Sequence, residues 1–149
     1  MSVCFRLGDA EGIGEAIASV LQPGDVIGLH GDLGAGKTTL ARAILTALGL
    51  EGEAPSPSFA IIQPYAPPEI RMPVLHVDLY RLEDPEEVEE LGLDEARHDH
   101  ALLIEWPERM GARPWSDMLH LTIDFDGTDA RCLTAKVPPA WEARWPFPQ

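Results

Sequence analysis

The chain has 149 residues, 45% of them hydrophobic, with 25 acidic side chains against 11 basic ones and a formal net charge of −14. That length fits one compact domain with a sizeable core, and no apolar run approaches the roughly 18 residues of a membrane span. The charge argues against unaided binding to nucleic acid, because phosphate backbones call for Lys and Arg stripes and the only lysines are Lys37 and Lys136.

The opening MSVCFRLGDAEG lacks the apolar core of a signal peptide. Cys4 and Cys132 are too few for a disulfide framework and show no C-x-x-C spacing, so both are read as ordinary thiols of a reducing, cytoplasmic compartment. Asp9 is a candidate cap for a helix whose apolar positions Ile13, Ile17, Val20 and Leu21 share a face, with Pro23-Gly24 as its end. DVIGLHG, residues 25 to 31, reads as a strand running into a Gly-rich turn. TTLARAILTAL, from Thr38 to Leu48, is strongly helical by propensity, and Gly49 sits where a C-terminal cap belongs.

Six prolines fall from Pro55 to Pro73, leaving FAIIQ at 59–63 as a candidate edge strand in an exposed loop region. VLHVDLY at 74–80 is the next strand. Asp84-Pro85-Glu86-Glu87 then supplies a capping Asp, Pro in the first turn and Glu three residues on, which predicts a helix start. The acidic run from Glu83 to Ala96 reads first as a solvated helix face and second as a docking surface for a basic partner. ALLIE at 101–105 is a strand, and HLTIDF, DGTD and RCLTAKV form an antiparallel hairpin. The order predicts an α/β fold, a mainly parallel sheet flanked by helices with an antiparallel C-terminal hairpin. Residues 1–137 make up that domain, and the Pro/Trp-rich 138–149 is expected to be a mobile or loosely docked tail.

GDLGAGKT, Gly31 to Thr38, fits the P-loop pattern G-x-x-x-x-G-K-[ST] at every defined position. Glycines there let backbone N–H groups converge on an anion, and the helix that follows adds its positive dipole end. Lys37 is placed to neutralise β- and γ-phosphate charge, and the Thr38 hydroxyl to ligate Mg²⁺. The pattern should arise by chance in ~1% or fewer chains of this length. Leu33, Gly34, Ala35, Gly36, Lys37, Thr38 and Thr39 are therefore the candidate phosphate cradle. The chain contains no asparagine, so the Asn-Lys-x-Asp route to guanine is closed and ATP is favoured. Trp106 is a candidate base-stacking residue, with core packing as its other reading.

A P-loop site needs an acid at the end of a neighbouring strand, and both Asp78 and Glu105 end apolar runs. Residue type does not separate them. His76 shares a strand face with Asp78 and is read as a satisfied histidine or as support for the metal site.

The set GDLGAGKTTL, SPSF at 56–59, HVDLYRLEDPEE from His76 and IEWPER from Ile104 resembles the TsaE (YjeE) family, the ATPases of bacterial tRNA threonylcarbamoyladenosine biosynthesis. The resemblance covers roughly residues 9–137. It implies binding of ATP and Mg²⁺, slow hydrolysis by the isolated protein, and action with TsaB and TsaD, which handle the tRNA. It also implies Glu105 as the Mg²⁺-linked acid, Asp78 as an essential catalytic acid, Ser58 in a switch-like loop near the γ-phosphate, and Arg131 as a nucleotide contact. Ser58 stands where the family usually has Thr, which preserves the hydroxyl. A small-molecule kinase is the alternative, with nine scattered arginines against it, and a nucleotide-dependent binding module is a third reading.

Overall fold

The computed structural model describes residues 2–52, 61–111 and 115–147. Ser58, with the rest of the SPSF motif and the first two residues of FAIIQ, lies outside the described residues.

Seven strands form one sheet: β1 (Ser2–Arg6), β2 (Val26–His30), β3 (Ile62–Tyr65), β4 (Val74–Asp78), β5 (Ala101–Glu105), β6 (Leu119–Asp126) and β7 (Ala130–Lys136). Their order is β1-β7-β6-β2-β5-β4-β3. The central four, β6, β2, β5 and β4, run parallel, while β3, β7 and β1 are antiparallel margins. The α/β architecture, the C-terminal hairpin and the edge position of β3 agree with the sequence expectation. Because β2, β4 and β5 are parallel neighbours, their C-terminal residues His30, Asp78 and Glu105 gather at one end of the sheet, where α/β folds bind ligands.

Both faces of the central sheet are covered, which explains why every residue of β4 and β5 is buried and why both strands are mainly apolar. Successive residues alternate between two cores. Ala101 and Leu103 pack with α1 (Ala10–Ala18) and α2 (Lys37–Ala47), while Leu102 and Ile104 pack with α3 (Pro85–Glu89) and α4 (Leu93–Ala96). Where α1 crosses α2, a Cβ on Gly14 would lie 2.6 Å from the Ala43 carbonyl carbon, so only glycine allows the approach. No helix among the described residues is long and apolar enough to cross a membrane.

Four local expectations are corrected. Asp9 occupies the N-cap position of α1 but makes no side-chain cap hydrogen bond, because a 3-10 turn over Leu7–Asp9 leads directly into the helix. The helix also stops at Ala18, so Val20 and Leu21 lie in the turn beyond it. Cys4 and Cys132 are not separate thiols: β1 lies antiparallel to β7 with these residues directly opposed, and their sulfurs form a disulfide. The tail expected to be mobile or loosely docked is firmly docked through residue 147. Pro139 to Glu142 form a short helix, α5, Trp141 and Trp145 are buried in the α1–α2 core, and Arg144 grips Asp25 with both terminal nitrogens at 2.6 Å. The Asp84 cap is as expected, its carboxylate accepting from the Glu86 N–H at 3.0 Å.

Candidate nucleotide site

β2 ends at His30, and the next eight residues turn through the P-loop into α2. Gly31 has φ +147°, and a Cβ there would lie 2.6 Å from the Ile123 carbonyl oxygen of β6. Gly36 caps α2 with φ +117°. Both positions need glycine, for close approach in one case and for left-handed backbone in the other. The loop wraps a recess of about 220 Å³ lined by Leu33, Gly34, Gly36, Lys37, Thr38 and Thr39, by Asp78 and Tyr80 after β4, and by Glu105 and Trp106 after β5. Every P-loop position expected to hold phosphate lines it except Ala35, which is fully buried beneath.

Lys37 is held rather than waving in solvent. Its Nζ donates to the carbonyl oxygens of Gly31 and Asp32 and lies 4.3 Å from the centre of the Trp106 ring. Burial pushes the Lys37 ammonium below the ordinary lysine value, and the carboxylates of Glu105, Glu108, Asp78 and Asp32 oppose that shift. The ammonium therefore sits partly desolvated, where an added phosphate would gain most from it.

Asp78 and Glu105 are register partners on β4 and β5, and the surroundings separate them. Both oxygens of Glu105 lie within 2.9 Å of Thr38 Oγ1, and Oε2 is 2.7 Å from His76 Nε2. His76 Nδ1 is buried and meets no partner among the described residues, which favours the tautomer with its hydrogen on Nε2, donating to Glu105. A hydroxyl and a carboxylate braced by an imidazole form a set of hard oxygen donors that suits Mg²⁺. The Asp78 Oδ1 accepts from the Tyr80 N–H at 2.9 Å, and the side chain lines the recess.

Trp106 adopts φ +60°, ψ +50°, a left-handed conformation uncommon for a bulky residue. That backbone turns the indole out of the sheet line towards Lys37 and Tyr80, whose ring centre is 4.9 Å away. The residue is half-buried in the recess wall, accessible to a flat ligand. Tyr80 escaped the sequence reading, although it stands two residues beyond Asp78 and is 42% exposed, an unusual state for an aromatic beside a buried strand.

Arg131 lies behind the loop. It is buried, its Nε donates to the Ala35 carbonyl at 2.8 Å, and one terminal nitrogen donates to the carbonyls of Thr128 and Ala130. In this position it fastens the P-loop to the C-terminal hairpin and does not line the recess. Among the described residues, the one group of three close His, Cys, Asp or Glu ligands is Cys4, Asp126 and Cys132, and both of its sulfurs are used in the disulfide.

Comparison with known proteins fits this geometry. A family model described as "Threonylcarbamoyl adenosine biosynthesis protein TsaE" matches residues 6–133. The tRNA threonylcarbamoyladenosine biosynthesis protein TsaE of Bacillus subtilis is 38% identical over 127 residues, covering 85% of this chain and 78% of its own length. Its counterpart from Streptomyces coelicolor is 39% identical over 113 residues, covering 75% and 76%. The crystal structure of Bacillus subtilis YdiB superposes with a TM-score of 0.76 at 30% identity, covering 96% of this chain and 90% of that one.

Proposed function

Since the chain belongs to the TsaE family, whose members are involved in tRNA threonylcarbamoyladenosine biosynthesis, we propose that it is the Mg²⁺-dependent ATPase subunit of that pathway, acting with TsaB and TsaD in the cytoplasm. The observation that carries this reading is the convergence of Lys37, Thr38, Glu105 and Asp78 on one recess at the P-loop.

In this reading the P-loop N–H groups and the α2 N-terminus hold the phosphates of ATP, while the Lys37 ammonium balances charge on the β- and γ-oxygens. Thr38 and Glu105 would hold Mg²⁺, which when bound would supply positive charge against the charge that develops on the phosphate oxygens. Asp78, which lines the recess, orients a water for in-line attack on the γ-phosphorus. The P–O bond to the β-phosphate breaks, and the water's proton leaves to solvent with inorganic phosphate. Ser58 is assigned to positioning the same water, on its family role alone. Trp106 and Tyr80 offer faces on which the adenine or its ribose can rest. In this reading turnover by the isolated chain is slow, because Arg131 is bonded to the Ala35 carbonyl behind the recess and is not assigned the part of an arginine finger. With a net charge of −14, the chain leaves tRNA to its partners.

The test is reconstitution with TsaB, TsaD, tRNA and γ-labelled ATP. Multiple-turnover modification is expected to depend on this chain, with label released as free phosphate. Unchanged turnover without the chain overturns the reading, and label appearing on a small molecule turns it into a kinase.

A further inference from the structure

On the face of the sheet opposite α1 and α2, α3 lies beside a 3-10 turn over Pro107–Met110. Between them a recess of about 100 Å³ is floored by Val88 and Leu93 and walled by Pro85, Met110 and Trp115. The walls meet closely, since a Cβ on Gly111 would lie 3.1 Å from the Pro85 ring. Trp115 is fixed by its indole N–H, which donates to Asp94 at 2.7 Å. The floor is apolar and the rim is not. Residues 83–96 carry eight carboxylates, every one exposed, with Glu89 and Asp94 lining the recess; the neighbouring cations are Arg97, which stacks on the Trp115 ring and pairs with Asp117, and Arg109 of the 3-10 turn.

Such a surface narrows the choice of occupant. RNA and anionic membranes are repelled by eight clustered negative charges. A second copy of this chain brings another −14, with 25 acidic against 11 basic side chains, a poor electrostatic match. We propose that the recess docks a basic amphipathic segment of a partner protein, one apolar side chain seated on Val88 and Leu93 and flanking Lys or Arg residues meeting the carboxylates.

The position links the surface to the nucleotide site. α3 begins seven residues after Asp78, and the 3-10 turn begins two residues after Glu105. A side chain wedged between them touches both segments that continue from the two site acids, with Trp106 the first residue to respond. This link, unlike the docking itself, rests on the ATPase reading.

The experiment uses the full chain without nucleotide and, as probe, an acetylated amphipathic peptide of about 14 leucines and lysines, followed by NMR of indole N–H and methyl groups. The Trp115 indole and the Val88 and Leu93 methyls are expected to shift saturably, and the Trp106 indole to move with them. Replacing the peptide's leucines by serine, Met110→Ser in the protein, or the double change Glu89→Lys with Glu90→Lys should each weaken binding about tenfold or more, with the variants' melting temperatures unchanged. Shifts spread over every acidic surface, or variants that bind like the parent, overturn the docking site. A filled recess with a stationary Trp106 overturns the link. Because no ATP is present, these results stand apart from whether the chain hydrolyses it.

Discussion

Asp78 and Glu105 stand side by side at the ends of adjacent parallel strands, and Glu105 meets both the Thr38 hydroxyl and the His76 imidazole while Asp78 accepts from the Tyr80 N–H. Glu105→Gln is therefore expected to reduce the Mg²⁺-dependent part of ATP affinity more than Asp78→Asn, which should chiefly lower hydrolysis. Calorimetric titration with and without Mg²⁺, set beside phosphate release, measures the split. Equal affinity losses would leave the two acids undivided.

Arg131 braces Ala35, so its replacement should be felt before any nucleotide arrives. Arg131→Ala is expected to cost about 1.5–3 kcal/mol in urea unfolding of the nucleotide-free protein, since it removes charge-assisted bonds to three carbonyls. Arg131→Lys should recover little, because one ammonium cannot span the same acceptors. If Arg131 acted only by contacting nucleotide, neither change would alter that unfolding curve.

His30 and His120 share a hydrogen bond of 2.8 Å at the ends of β2 and β6. Burial pulls both below the ordinary value of 6.5; Glu108 opposes this at His30, while His30 and Lys136 reinforce it at His120. A histidine with a depressed folded pKa gains protons on unfolding, so its penalty is absent well above 6.5 and grows as pH falls from there towards the folded value. The melting temperature should thus decline on acidification from about pH 8 to pH 5, and His120→Gln should flatten that slope. A variant whose slope matches the parent would remove the pair from this account.

The docked C-terminal segment makes a fourth test. Trp141→Ala is expected to cost about 3–5 kcal/mol, as for other aromatic truncations in a core. Arg144→Ala should cost about 1–3 kcal/mol, a value between exposed and fully buried ion pairs, because it strips Asp25 of a two-pronged partner. Thermal melts of both variants and of a chain ending at Val137 decide the matter. A truncated chain as stable as the parent would mean that the tail contributes nothing.

What could be read from the sequence was local. The P-loop announces itself because its glycines, lysine and threonine must be close in sequence, and β4 and β5 announce themselves because strands buried on both faces are mainly apolar. The same motifs pointed to Lys37, Thr38, Asp78 and Glu105 as neighbours of one recess. Contacts between distant segments were not legible. Nothing in SVCFR predicts pairing with β7, so the opposition of Cys4 and Cys132 was hidden. Nor does the Pro/Trp composition of the C-terminus reveal that Asp25 waits for Arg144. The left-handed turn at Trp106 was equally silent, since Pro107 marks a boundary without giving its hand.

The Cys4–Cys132 bond joins points 128 residues apart, so most of the chain is a closed covalent ring. A single proteolytic cut anywhere inside that ring leaves one molecule of unchanged mass apart from the added water. Two fragments part only when the disulfide is reduced, so a gel run without reductant would report a nicked population as intact.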